Sequence, residues 1–320
     1  MKDRQQKDPY SMGDVVLVIG IDLGGTKCSV SYLDERKVVE SLRLPTGELA
    51  DTFPSLLAEF ERLRKRRSVL IGVSCGGPLD NVKGVILNPP NLHESWHNVA
   101  ICKLLTDAVG EEACLMNDAN ACALAEWKFG AGRGTQHMIF LTSGTGMGGG
   151  LVLNGALYEG ATGDAGEIDH VRLSQYGPVG YGKIGSVEGF CSGGGIARLA
   201  EKRIKLYGGV PPVWAPVGKP LTLKQIAEAA HGGDKLAREI MAEAGSRLGE
   251  ALAILIELFH PERIVLGGFF PLCRYLFQPT MNQSLDCDDL RFPARRAKSC
   301  QPNWAKRLEA MVPFRPLSTA

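Results

Sequence analysis

An α/β fold built twice is what this sequence predicts, and three observations predict it. The chain has 320 residues, enough for two domains of ordinary size. Two apolar runs, VVLVIGID at 15–22 and HMIFLTSG at 137–144, each break at a glycine turn and resume as a second strand. Segments with helical periodicity follow each of these strand–turn–strand units. A duplicated plan of this kind implies two halves with a cleft between them, and ligands of such folds sit where the glycine turns converge.

The elements follow in order. After VVLVIGID and its glycines, CSVSYLD (28–34) alternates as the second strand of a hairpin. PSLLAEFERLRKRR predicts a helix over 54–67, with Leu56, Leu57, Phe60 and Leu63 on one face and a basic, solvated end. A strand at 69–75 is cut off by Gly76-Gly77-Pro78, and LNPPN (87–91) is loop. ICKLLTDAVG is helical, CLMND is a short strand, and ANACALAEWKFG is a helix ended by Gly130. The second round opens with HMIFLTSG, and GGLVLNGALYEG (149–160) turns at Asn154-Gly155. From about 160 to 193 the chain reads as loop. IARLAEKRIKLYG is helical, and Thr222 is placed to cap LTLKQIAEAAHGG. A long helix covers 234–259, with Leu236, Ile240, Leu248, Leu252 and Leu255 on one stripe and Pro261 beyond its end. RIVLGG (263–268) is a buried strand with a glycine turn. The domain boundaries predicted are an arm at 1–14, a first domain at 15–116, a second at 117–290 and an atypical tail at 291–320.

Composition narrows the function. Apolar residues make up 44% and charged residues 22%, and the net charge is +1. That balance describes a globular chain with no basic surface for nucleic acid or acidic lipid. The longest apolar run, ALAILIEL at 251–258, is too short to span a bilayer, and the polar start does not resemble a signal peptide. Nine scattered cysteines without CxC or CxxC spacing suit a reducing cytoplasm, where most serve as small core residues.

Three stretches carry chemistry. GIDLGGTK (20–27) is neither a P-loop nor a dinucleotide fingerprint, because no GK[ST] follows the glycines and a strand rather than a helix comes next. A glycine-rich hairpin nonetheless presents backbone N–H groups to an anion. Asp22 can hold a hydrated magnesium ion and Lys27 can neutralise phosphate; the alternative is a plain β-turn beside a surface lysine. TSGTGMGGG (142–150) has five glycines in the seven residues 144–150, which suits close backbone approach to a ligand. Ser143, Thr145 and the loop amides match phosphate oxygens, and the paired position of the two turns favours phosphate binding over two flexible hairpins. In MNDANACALAE (116–126), Asp118 falls between strand and helix. It reads either as a helix N-cap or as a general base taking a proton from an attacking hydroxyl, with Asn117 bonding the same substrate.

Together IGIDLGGTK, SCGGP, the NPPN loop, NDANACALAE, GTGMGGGLVLNG, GATGDAGEIDH and PERIVLGG resemble the ROK family of sugar kinases and sugar-responsive repressors, over about residues 15–285. The resemblance implies a two-domain actin-like ATPase (ribonuclease H-like) fold, ATP and Mg2+ as cofactors, and a homodimer or homotetramer. It implies that Asp22 and the turn Gly24, Gly25, Thr26 and Lys27 face the phosphates and magnesium, the ion being held by Asp22 through water. Gly144, Thr145 and Gly146 would face the phosphates, and Gly267 and Gly268 the adenosine. Asn117, Asp118, Glu167, His170 and Glu188 would line the sugar pocket, with Asp118 the base. The chemistry agrees: carboxylates and Asn fork across neighbouring hydroxyls, and an unmade buried hydrogen bond discriminates between sugars. Glucose O6 is the leading acceptor. N-acetylmannosamine or N-acetylglucosamine is the alternative, and a non-catalytic sugar-binding regulator is the reading of another class. Family repressors carry an N-terminal helix-turn-helix domain, and only 14 polar residues precede the first strand here, which argues against DNA binding.

Two segments depart from the family. Many members follow GExGH with CxCGxxGC, whose cysteines and His hold zinc; here the segment reads GPVGYGKIGSVEGF. His170 alone cannot make a tetrahedral site and Cys191 is poorly placed, so no zinc is expected and glycine and proline turns hold the loop. Asp169 stands where the family has Gly, a substitution a left-handed backbone would tolerate. The second departure is the tail, RRAKSCQPNWAKRLEAMVPFRPLSTA, which lacks the apolar periodicity of the expected final helix. Reading two bases into each codon gives Leu at Asn303-Trp304, Gly at Trp304-Ala305 and Gly at Met311-Val312, and permits Ala at Lys306-Arg307. That restores the family's pattern, so a frameshift near 290–300 accounts for the tail. The coding DNA tests it: an early stop in the offset frame, or no Leu-Gly, Ala, Gly series, contradicts it.

Overall fold

A computed structural model describes residues 18–34, 37–64, 69–206, 211–215, 218–288 and 308–310. The chain divides into two compact units, with the division between Ala121 and Cys122. This falls inside a helix rather than at the expected 116/117 boundary.

In the first unit, β1 (Val18–Leu23) turns into β2 (Lys27–Asp34) and then β3 (Lys37–Pro45), before helix α1 (Leu49–Arg64). Next come β4 (Leu70–Cys75), the short pair β5 (Leu79–Asp80) and β6 (Val85–Ile86), α2 (Ile101–Val109), β7 (Ala113–Asn117) and α3 (Asp118–Phe129). The sheet order is β3-β2-β1-β4-β7. β1–β2 and β2–β3 pair antiparallel, and β1–β4 and β4–β7 pair parallel. Alternation puts Ile19, Ile21 and Leu23 of β1 into a core shared with Leu56, Phe60 and Leu63 of α1. The sequence reading passed over β3. It is an edge strand with Val39 exposed, and Leu44 supplies its contact with the core. Helix α1 also starts five residues before the expected Pro54, which sits within it.

The second unit repeats the plan. β8 (Met138–Ser143), β9 (Met147–Leu153) and β10 (Ala156–Tyr158) form the antiparallel part, with Asn154 (φ 54°) and Gly155 (φ 70°) making the predicted corner. The hairpin β11 (Val179–Gly180) and β12 (Lys183–Ile184) precedes α4 (Val187–Cys191), α5 (Gly193–Leu206), α6 (Leu223–His231), α7 (Lys235–Phe259), β13 (Arg263–Leu266), α8 (Phe270–Asp288) and β14 (Leu308–Ala310). The order β10-β9-β8-β13-β14 matches that of the first sheet, as do the strand directions. Thr222 caps α6 in a full capping box, and α7 ends at His260 in the left-handed conformation, one residue before Pro261. The arm at 1–14 lies outside the described residues, as does the tail at 291–320 apart from the strand at 308–310. Among the described residues no helix is long and apolar enough to cross a membrane.

Helix α8, to which the sequence reading assigned no element, carries Pro279 inside it, a residue that locally disfavours helix. Packing overrides that local penalty. Phe270, Phe277, Met281 and Leu285 enter the core of this unit, and Thr280 Oγ1 donates to the Ala242 carbonyl at 2.7 Å. Gly245 and Gly249 let α7 approach α8 closely; a Cβ on Gly249 would stand 2.5 Å from the Met281 carbonyl oxygen. This contact decides the sign of a substitution. Gly249→Ala gains about 1 kcal/mol of helix propensity but overpacks against backbone, at a cost of about 1–3 kcal/mol. Urea denaturation should therefore show a net loss of stability, and a more stable variant would contradict the packing described.

Candidate functional site

The parallel register of the first unit aligns Asp22 with Ser74, and Cys75 with Asn117, at the carboxyl ends of β1, β4 and β7. Asp22 is exposed because it alternates with the buried Ile21 and Leu23. Ser74 Oγ donates to its Oδ1 at 2.7 Å, which fixes the carboxylate. The turn closes with Gly24 N–H donating to the Lys27 carbonyl at 3.1 Å, and Thr26 and Lys27 are exposed. Gly25 is required by the protein itself: a Cβ there would stand 2.1 Å from the Asn91 carbonyl oxygen, at the end of the NPPN loop.

Asn117 and Asp118 divide two tasks. Asn117 Oδ1 accepts the N–H groups of Ala119 (2.9 Å) and Asn120 (3.2 Å), the bonds of a helix cap. The capping role considered for Asp118 therefore belongs to Asn117, whose Oδ1 makes both cap bonds. Asp118 Oδ1 accepts from Ala119 N–H at 2.8 Å, while Gly76 brings no side chain against Oδ2. Asp118 is solvent-accessible, yet desolvation by surrounding protein pushes its carboxyl above the ordinary aspartate range. The Ala119 N–H works against that rise and the charge of Asp22 adds to it.

In the second unit the turn Gly144–Thr145–Gly146 is exposed and closed by Gly144 N–H donating to the Gly146 carbonyl at 2.8 Å. Gly267 and Gly268 lie beside it. Gly267 N–H donates to Leu141 (2.8 Å) and Phe269 N–H to Ser143 (2.9 Å). Gly268 has φ 69°, and a Cβ on it would stand 1.9 Å from the Ser143 carbonyl oxygen. Sequence reasoning missed Gly193 and Gly194, whose N–H groups donate to the carbonyls of Gly144 (2.9 Å) and Thr145 (3.1 Å). These bonds seat the turn on the N-terminus of α5, where the helix dipole adds positive potential. The run SGGG at 192–195 was the available signal.

Glu167, Asp169 and His170 lie on one 3-10 turn, Ile168–His170 with Glu167 at its start. Glu188 lies in the first turn of α4 and reaches the glycine turn, where its Oε2 accepts Met147 N–H at 3.3 Å, so that oxygen already has a partner. His170 Nε2 lies 3.6 Å from Glu167 Oε2 and 3.5 Å from Asp169 Oδ2. Burial, then the charge of Lys183, hold the His170 imidazole below its usual range, against the pull of Glu188. Asp169 is buried and pushed up to about 7, by desolvation first and then by Glu167. Its backbone is not left-handed, so tolerance of positive φ does not explain the residue; in this loop Tyr181, at φ 46°, is the non-glycine residue that adopts it. Glycines do hold the loop: Gly185 N–H donates to Pro178, and the Gly185 carbonyl accepts from Leu173 and Ser174. Cys191 turns into the core, with its thiol near the Ala244 carbonyl at 3.8 Å and pushed up by burial, which does not suit a metal ligand.

Residues 18–288 match the family described as the ROK family. The chain is 33% identical over 265 residues to a glucokinase of Thermotoga maritima, covering 78% of this chain and 81% of that protein. It is 29% identical to a xylose repressor of Caldicellulosiruptor bescii, covering 80% of this chain and 66% of the repressor. Among solved structures it resembles a ROK family glucokinase from Streptomyces griseus in complex with glucose and AMPPNP, with TM-score 0.70, 28% identity, and coverage of 92% and 94%.

The raised Asp169 carboxyl has a consequence for stability. The folded state holds its proton more tightly than the unfolded chain, so stability should fall as pH rises from 3.8 toward about 7 and level off above. Denaturation of the wild type and Asp169→Ala across that range isolates the effect. The wild type should lose stability relative to the variant as pH rises, and parallel profiles would contradict the assignment.

Proposed function

The chain belongs to the ROK family, and from that premise we propose that it is a sugar kinase moving the γ-phosphoryl group of ATP to a hexose hydroxyl, glucose O6 foremost. The observation that carries the reading is Asp118. Its neighbour Asn117 takes the helix cap, and its carboxyl is raised toward the range of a working base.

Each residue has a distinct part in this reading. Asp118 receives the proton as the sugar oxygen bonds to phosphorus and the bond to the ADP oxygen breaks. Asn117 Nδ2, Glu167, His170 and the remaining oxygen of Glu188 bond sugar hydroxyls. Thr26, Lys27 and the amides of Gly24, Gly25, Gly144, Thr145 and Gly146 meet the phosphates, while Gly267 and Gly268 lie along the adenosine. A lone exposed carboxylate fixed by Ser74 fits a hydrated magnesium ion, so Asp22 would hold Mg2+ through water. That ion, when bound with the nucleotide, offsets phosphate charge. With little covalent work to perform, the chain contributes positioning and charge compensation.

A coupled ATP assay across glucose, mannose, fructose, N-acetylglucosamine and N-acetylmannosamine tests the proposal. Phosphorylation of glucose above the others is the expected result, and preference for an N-acetylated sugar would redirect the substrate. Sugar binding without phosphorylation of any of them would support a regulator instead. Because the Asp118 carboxyl is raised, kcat/KM should fall on the acid side at a pH above the 3.8 of an unperturbed aspartate. An acid limb at or below that value would remove Asp118 as the base.

A further inference from the structure

Asp169 and Tyr181 have no part in the roles assigned above, yet both close on His170. Asp169 is only 3% exposed, and its Oδ1 is buried without a hydrogen-bond partner. Its Oδ2 lies 3.5 Å from His170 Nε2, and Glu167 Oε2 lies 3.6 Å from the same nitrogen. With Asp169 ionised, above the pH of about 7 to which its carboxyl is pushed, two carboxylates beside one ring nitrogen favour the tautomer with its proton on Nε2, which leaves the lone pair on Nδ1. Tyr181 fixes the plane of the ring, with centroids 4.3 Å apart and an interplanar angle of 23°. Lys183 Nζ donates to the His170 carbonyl at 3.2 Å and holds the backbone of the same residue. A buried, incompletely bonded carboxylate lowers stability, so the benefit of Asp169 lies in what it does to its neighbour.

We propose that Asp169 and Tyr181 are positioning residues that fix the tautomer and orientation of His170, so that its Nδ1 accepts a hydrogen bond from one sugar hydroxyl. The inference rests on the sugar role given to His170 above. Asp169 sets which nitrogen carries the proton, and Tyr181 prevents rotation of the ring. Together they make one position of the sugar site a fixed acceptor, which selects for a hydroxyl at that point on the substrate.

The test compares wild type, Asp169→Ala, Tyr181→Leu, Tyr181→Phe and His170→Ala in the full chain. It reads kcat, KM for sugar and for ATP, Tm, and the imidazole 15N shifts of His170. Asp169→Ala and Tyr181→Leu should each raise sugar KM about tenfold, the effect of one misdirected hydrogen bond, with kcat and ATP KM little changed. Tyr181→Phe, which keeps the stacked ring, should recover most of that loss. In Asp169→Ala the 15N shifts should move from one tautomer to a mixture, and Tm should not fall. Unchanged sugar KM in Asp169→Ala and Tyr181→Leu, or a KM rise that follows a drop in Tm, overturns the inference. If His170→Ala itself leaves sugar KM unchanged, the failure lies in the sugar role of His170. The ligand atoms of Glu167, Asp169 and His170 lie within 4.8 Å of one another. Gain of sugar affinity when zinc or manganese is added to chelator-treated protein would therefore make the trio a metal site and also overturn the proposal.

Discussion

The two hydrogen bonds that Asn117 Oδ1 accepts, from Ala119 and Asn120, are the constraint on which the functional account depends. A helix that starts beside a carboxylate proposed as the base needs a cap, and the carboxylate is itself a good one. If Asp118 served that end, its charge would be stabilised by N–H donors and its carboxyl drawn down. Asn117 takes the load; the Asp118 carboxyl meets the Ala119 N–H and its own backbone N–H, and desolvation leaves it on balance raised. The parallel register from β1 through β4 to β7 then brings Asp22 and Ser74 to the same sheet edge as this pair.

The glycine turns carry a related lesson. Their lack of side chains reads in the sequence as room for a ligand. In the structure much of that room is taken by the protein: Asn91 against Gly25, Glu188 against Gly146, Ser143 against Gly268. Close packing of backbone behind each turn holds its outer amides in place, so the same glycines serve rigidity and access. Glu188 joins the two roles, since one of its oxygens ties α4 to the turn that would face phosphate.

Much of the fold was legible because glycine turns and apolar periodicity repeat at the same places in both halves. The repeated strand order and the cap at Thr222 follow local rules that short segments express by themselves. What escaped depends on tertiary context. β3 is a weakly apolar edge strand, and α8 tolerates Pro279 only because Gly245 and Gly249 admit it against α7. At the site, residue types were readable but their division of labour was not. Nothing in the letters NDAN says which side chain caps, and nothing in EIDH says that Asp169 is the buried member of the group. Its environment is set by a loop whose turns come from Gly177, Gly182 and Gly185, which distance along the chain does not disclose.

The most direct test of the central claim is Asp118→Asn, assayed for turnover and, by calorimetry, for sugar binding. The account predicts that kcat falls by about 10²–10⁴-fold while sugar affinity stays within a few-fold, because the amide keeps the shape and loses the base. Turnover near the wild-type value, or loss of sugar binding in step with loss of turnover, would contradict it.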